Sequence, residues 1–203
     1  MSKYIEKVIY INLDNRTDRR KEIEHELSVF SIPFQRFPAI KTAVGCVGCT
    51  QSHLQILKNA KQNNYKNVLI LEDDFMFVVT REKMEKNLTE LFEKTGGDFD
   101  VCMLSYNLIK GNVSTDFPFL TNVQDAQTAS GYIVSARFYD KLIDILEASI
   151  PLLIMTSAHW LYTVDQAWKP LQPDSKWYCF TERLGKQRKS FSDLAGCVMD
   201  YGC

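Results

Sequence analysis

Residues 68–75 run Val68-Leu69-Ile70-Leu71-Glu72-Asp73-Asp74-Phe75. Four consecutive aliphatic side chains, two of them β-branched, predict a strand buried on both faces, as in a parallel sheet. The strand then runs directly into three carboxylates. Buried like charges repel and need partners, so such a triplet is costly at the end of a core strand unless something compensates it. A hard divalent cation would do so, because Mg²⁺ and Mn²⁺ take oxygen ligands and join carboxylates to a substrate's phosphates. Period-2 alternation puts Glu72 and Asp74 on one side of the chain and Asp73 on the other, an acid-x-acid clamp. On these residues alone, a solvated acidic turn fits equally well.

Around this stretch lies a chain of 203 residues with 45% hydrophobic and 24% charged residues and a formal net charge of -1. That length suits one α/β domain with a sizeable core. Nothing in the charge balance points to a nucleic-acid partner. The first residues lack the apolar core of a signal peptide, and no apolar run is long enough for a membrane span, so a cytoplasmic protein is expected. Six cysteines are scattered; Cys46 and Cys49 have the spacing of half a zinc site, but no second close pair answers them. Structural thiols are the plainer expectation, and a redox pair would need a strand before it where a loop is expected. The sequons at Asn15, Asn87 and Asn112 matter only in a secretory compartment.

In chain order, residues 7–13 (KVIYINL) predict a first buried strand, and Ile23, Leu27 and Phe30 lie at helical spacing after it. Pro33 ends that helix before a short strand at 34–37. Glycines 45 and 48 open a second helix reaching Asn64, with Leu54, Leu57 and Ala60 inward, and the acidic strand follows at once. Two β-α-β units thus deliver the carboxylates to the carboxyl edge of a sheet, where open α/β sheets bind ligands. A third helix is expected over 81–94, stopped by Gly96-Gly97, then a strand over 100–105. Residues 107–125 read as turn-rich. A strand over 128–134 precedes a helix from Ser135, the pattern weakens after Pro151, and 177–180 reads as a short strand. One domain over 1–203 is expected, its nucleotide-binding half over 1–105 and its acceptor half with the tail over 106–203.

Several clusters accompany the acidic strand. Arg16, Arg19 and Arg20 crowd the start of the first helix, where cations oppose the helix dipole. A phosphate between them and the helix N-terminus would offset that cost; so would pairing with Asp14 and Asp18. Gly45, Gly48, Ser52 and His53 stand where a loop becomes a helix, suited to close backbone approach to a ligand or to ordinary structural bonding. Asp165 ends a hydrophobic run and serves either as a general base or as a helix cap. Gly131 within a strand pattern implies a bulge or close approach, and Tyr132 beside it stacks on a sugar or packs. No phosphate-loop, nucleophile-elbow or dinucleotide fingerprint is present.

Taken in order, these segments resemble glycosyltransferase family 25, which includes bacterial lipooligosaccharide galactosyltransferases and animal procollagen galactosyltransferases. The opening Ile9-Tyr10-Ile11-Asn12-Leu13-Asp14 with Arg16 and Arg19-Arg20 resembles the family's "INLD-R-DR". Ala39 with Gly45-Cys46-Val47-Gly48-Cys49 and Ser52-His53 is similar to its "A…G-GC-SH" block, and Leu71-Glu72-Asp73-Asp74 to its "LEDD". Gly131-Tyr132-Ile133-Val134-Ser135 resembles "GYIVS", and Val164-Asp165 a later "VD". The tail fits loosely, through Gln187, Ser190, Ser192 and Asp193, and Cys46 stands where relatives commonly carry an acid.

The resemblance implies an α/β GT-A fold with a mostly parallel central sheet, a UDP-sugar donor, and Mn²⁺, with Mg²⁺ as a substitute. On it, Glu72 and Asp74 hold the metal, with Asp73 turned toward the ribose or a metal-bound water. Asn12, Leu13 and Arg16 line the nucleotide, joined by Arg19, Ser52 and His53, while Gly131 and Tyr132 lie toward the sugars. Most members invert the anomeric carbon, which implies a carboxylate base, here Asp165. The expected activity is transfer of galactose or glucose to a hydroxyl of a glycan or lipooligosaccharide, or of hydroxylysine or galactosylhydroxylysine in collagen-like protein. The alternative is an inactive relative that binds a glycan or a protein.

Overall fold

A computed structural model describes residues 3–192 and 196–203 of the chain; Asp193 of the tail motif lies outside the described residues. Strand β1 (Lys7–Asn12) leads into helix α1 (Thr17–Val29), strand β2 (Gln35–Pro38), helix α2 (Gly45–Gln62) and strand β3 (Asn67–Glu72). A two-residue turn, Asp73-Asp74, separates β3 from β4 (Phe75–Phe77), and α3 (Arg81–Thr95) follows. Next come β5 (Val101–Met103), β6 (Asn107–Val113), β7 (Leu120–Gln127) and β8 (Gly131–Ser135). The second half continues with α4 (Tyr139–Thr156), the short α5 (His159–Tyr162) and α6 (Val164–Ala167), and β9 (Trp177–Phe180). Three short tail strands, β10 (Gly185–Gln187), β11 (Ser190–Ser192) and β12 (Cys197–Met199), complete it.

Eight strands form one sheet in the order β2-β1-β3-β8-β5-β9-β7-β6. Six run in one direction; β8 and β7 run against them. Alternation along the central strands separates two cores. Ile9, Ile11, Val68, Ile70, Tyr132 and Val134 face α2 and α4, while Val8, Tyr10, Leu69, Leu71 and Ile133 pack with Ile23 and Leu27 of α1 and Leu88 and Leu91 of α3. The continuous apolar run of β3 is explained by this arrangement, since both of its faces are covered.

Two segments depart from the sequence reading. The stretch expected as turns is a β6–β7 hairpin with register shifts around Lys110. It forms the sheet edge, where β6 is mostly exposed, Ile109 and Val113 included, and lacks the buried apolar alternation that marks a core strand. Helix α4 also runs through Pro151 to Thr156, ending on Ser157 in the left-handed region (φ 56°). Buried Leu153, beyond the proline, anchors that last turn against the core. Thr80 caps α3 by accepting from the Lys83 N–H at 3.3 Å, and Gly96 (φ 64°) terminates it as expected.

Candidate active site

The acidic turn lies at the carboxyl end of β3, held from beneath by aromatic packing. Phe75 is fully buried, and its ring lies where a Cβ on Gly131 or Gly185 would stand, 2.5 and 2.2 Å from ring carbons. Both glycines therefore serve close packing: Gly131 is a regular residue of β8, and the close approach expected there comes from Phe75. β10 pairs with β4 antiparallel, and the Arg188 N–H donates to the Asp74 carbonyl at 2.6 Å. The turn is thus gripped by two segments distant in sequence.

Its carboxylates do not follow strict alternation, because the strand ends at Glu72 and the chain turns. Asp73 and Asp74 face the same guanidinium: Arg19 Nη1 donates to Asp73 Oδ1 at 3.0 Å and to Asp74 Oδ2 at 3.2 Å. Asn12 Nδ2 donates to Asp73 Oδ2 at 2.7 Å, and Arg36 Nε donates to Asn12 Oδ1 at 3.1 Å. Arg36 also reaches the Asn12 carbonyl and Asp14. Among the described residues, Asp74 Oδ1 is buried without a hydrogen-bond partner. Burial and then the Glu72 charge push the Asp74 carboxyl up to about 7, against the opposing pull of Arg19. Burial also raises Asp73, despite its bonds to Asn12 and Arg19.

Glu72 faces the opposite side of the sheet. His53 Nε2 lies 3.3 Å from its Oε1, Cys49 Sγ donates to the same oxygen at 3.6 Å, and His53 Nδ1 lies 2.8 Å from the Tyr132 hydroxyl. Burial penalises the Glu72 carboxylate, but His53, Cys49 and Arg19 outweigh it and hold its pKa below the ordinary range. His53 and Ser52 are wholly buried, as is Tyr132 at 1% exposure, and His53, backed by Tyr132, meets Glu72 from behind. Ser52 pins the start of α2: its Oγ accepts from the Ile40 N–H at 2.8 Å and donates to the Gly48 carbonyl at 2.7 Å. Tyr132 packs edge-on against Trp168.

Of the remaining residues singled out by the sequence, Leu13 is half-buried, and its carbonyl accepts from the Arg16 N–H at 3.0 Å. Arg16 stands at the N-cap of α1 and pairs with Asp18 at 2.9 Å; Arg20 pairs with Glu24. Asp165, in α6, accepts from the Thr128 N–H at 3.1 Å and from the Thr163 hydroxyl at 2.9 Å. Its charge reaches the Cys49 thiol together with that of Glu72, so it belongs to the same electrostatic neighbourhood. Three partners were not expected as parts of this cluster. Arg36 sits on a short half-exposed strand, and for Cys49 a structural thiol was the plainer expectation beside half a zinc site or a redox pair. Gln187, the third, comes from the loosely matching tail; it lies against the Asp74 carboxylate, while nearby Ser190 Oγ accepts from Arg19 Nη2 at 2.6 Å.

A family model described as glycosyltransferase family 25 (LPS biosynthesis protein) matches residues 42–167, more than half of the chain. Among solved structures, a glycosyltransferase involved in the glycosylation of the major capsid of PBCV-1 is 10% identical, with 92% of this chain and 93% of that chain covered and a TM-score of 0.55. The galactosyltransferase LgtC, in complex with donor and acceptor sugar analogs, is 11% identical over 94% of this chain and 91% of that one, with a TM-score of 0.49. At such identity the capsid enzyme's likeness is one of fold, and the fold is of the α/β GT-A class. Curated proteins yield no match. Among the described residues, no helix is long and apolar enough to cross a membrane.

Proposed function

Because the chain belongs to glycosyltransferase family 25, we propose that it transfers galactose or glucose from a UDP-sugar to a hydroxyl acceptor on a glycan, lipooligosaccharide or collagen-like protein. The observation that carries this is the acidic turn itself: three carboxylates at a strand's carboxyl end, one with a buried oxygen that has no partner among the described residues. An all-oxygen set with more negative charge than Arg19 neutralises suits a hard divalent cation. Asp73 and Asp74, which share one side of the turn, are the residues to hold Mn²⁺, or Mg²⁺ in its stead, while Glu72, turned to the other side of the sheet, adds its negative charge from behind. Bound there, the ion supplies positive charge against the negative charge that grows on departing UDP.

The chain's own residues do the rest. Arg19 fixes Asp73 and Asp74 in one orientation and adds a cation at the same edge. Arg16, near the N-terminus of α1, together with Asn12 and Leu13, forms the nucleotide side. Asp165 takes the acceptor hydroxyl's proton, its carboxylate aimed by the Thr128 N–H and the Thr163 hydroxyl. Turnover of Glu72→Gln and Asp74→Asn tests this assignment. Each loses at least about 100-fold, as expected when one electrostatic element of a site is removed, while thermal melting stays cooperative. Wild-type turnover in either variant would remove the acidic turn from the mechanism.

A further inference from the structure

We infer that Cys49, His53 and Glu72 form a site for a thiophilic divalent cation such as Zn²⁺, on the side of β3 away from Arg19. The three ligand atoms, Cys49 Sγ, His53 Nε2 and a Glu72 carboxylate oxygen, lie within 4.8 Å of one another. With ordinary zinc bond lengths and tetrahedral angles, sulfur and carboxylate ligands stand about 3.6 Å apart, and imidazole and carboxylate about 3.4 Å. The corresponding separations here are 3.6 and 3.3 Å. Cys49 and His53 sit one turn apart on α2, and Glu72 closes the set from the end of β3, so rigid elements hold all three.

The surroundings are those of a built site. With the ion on Nε2, His53 Nδ1 carries the proton and donates it to the Tyr132 hydroxyl at 2.8 Å, the outer bond that orients a ligating imidazole. Tyr132 is in turn held by Trp168. Asp165 and Asp74 add negative charge around the sulfur. Ligation replaces the S–H bond with a metal–thiolate bond and releases the thiol proton to solvent. Both Cys49 and His53 approach Glu72 through the same oxygen, Oε1. Three protein ligands leave one position for water.

The site does not rest on the sugar-transfer reading, and it is tested without donor or acceptor. Co²⁺ is titrated into the metal-free full chain, and the thiolate-to-cobalt charge-transfer band is followed in the ultraviolet. One Co²⁺ per chain is expected to raise the band, and Zn²⁺ to erase it. Cys49→Ser abolishes it, Cys46→Ser and Asp74→Asn keep it, and Tyr132→Phe weakens binding by roughly 10- to 100-fold. His53→Gln, with thermal melting recorded for every variant, provides a second ligand test should Cys49→Ser misfold; it weakens binding at least tenfold. Absence of the band in the wild type, or its persistence in folded Cys49→Ser, overturns the site. Loss of activity in Asp74→Asn with the band intact separates the two metal assignments.

Discussion

One nitrogen of Arg19 bridges Asp73 and Asp74, at 3.0 and 3.2 Å, while all three side chains are nearly enclosed. A residue of the first helix thereby holds together two carboxylates that follow it by more than fifty positions. Removing it leaves adjacent buried negative charges without their cation. Arg19→Ala is expected to lose about 3 kcal/mol of stability, the usual scale for breaking a buried ion pair. Urea unfolding with and without Mn²⁺ checks this, and Mn²⁺ should restore part of the loss by replacing the missing charge.

Asp74 gives a pH signature. Its folded pKa, about 7, lies above the ordinary carboxylate range because of burial and the neighbouring Glu72 charge. The folded chain therefore keeps a proton that the unfolded chain has released. This contribution to stability is present in acid and is lost as pH rises from about 4 through about 7. Asp74→Asn should flatten that part of the stability–pH curve. Because the same proton competes with a cation, the thermal shift produced by Mn²⁺ in the wild type should grow over the upper part of this window. An Mn²⁺ shift independent of pH between 5 and 8 would contradict Asp74 as a ligand.

The packing under the turn predicts an effect with no charge involved. A Cβ at Gly131 or Gly185 meets the Phe75 ring at distances no side chain tolerates. Gly131→Ala should cost about 1–3 kcal/mol, the range for overpacking a filled core. It should also reduce turnover, since Phe75 directly follows the acidic turn. Denaturation and a turnover assay on the same preparation measure both.

Asp165→Asn keeps an oxygen for the Thr128 N–H but cannot take a proton. Turnover should fall by about 100- to 10,000-fold, the span attributed to general bases, with the thermal shift produced by UDP unchanged. An unchanged rate would return Asp165 to a purely structural role, bracing Thr128 in its left-handed conformation (φ 88°).

Much of this was legible in the chain. The apolar run 68–71 announced a two-sided core strand because apolar residues on both faces leave no polar alternation, and Gly96 marked the end of a helix through its freedom at positive φ. The β6–β7 hairpin was hidden because an edge strand with solvent on one side shows no such run. Alternation predicted the wrong partners for Asp73 and Asp74 because it describes strands, and the chain turns immediately after Glu72. For His53 and Tyr132 the sequence left a ligand and a structural reading open, because spacing does not reveal that the two side chains meet behind the turn, His53 Nδ1 against the Tyr132 hydroxyl. Arg36 and Gln187 reach the site only through strand pairing, β2 with β1 and β10 with β4, and sequence spacing does not encode that proximity.

The central claim is tested most directly by measuring UDP release from a panel of UDP-sugars, with an acceptor glycan present, first with Mn²⁺ and then with EDTA. Release from UDP-galactose or UDP-glucose that the chelator abolishes and Mn²⁺ restores is the predicted result. Release that EDTA leaves unchanged would contradict the metal role of the acidic turn. Silence across the panel, with no thermal stabilisation by UDP and Mn²⁺ together, would contradict the proposal that this chain acts on a UDP-sugar.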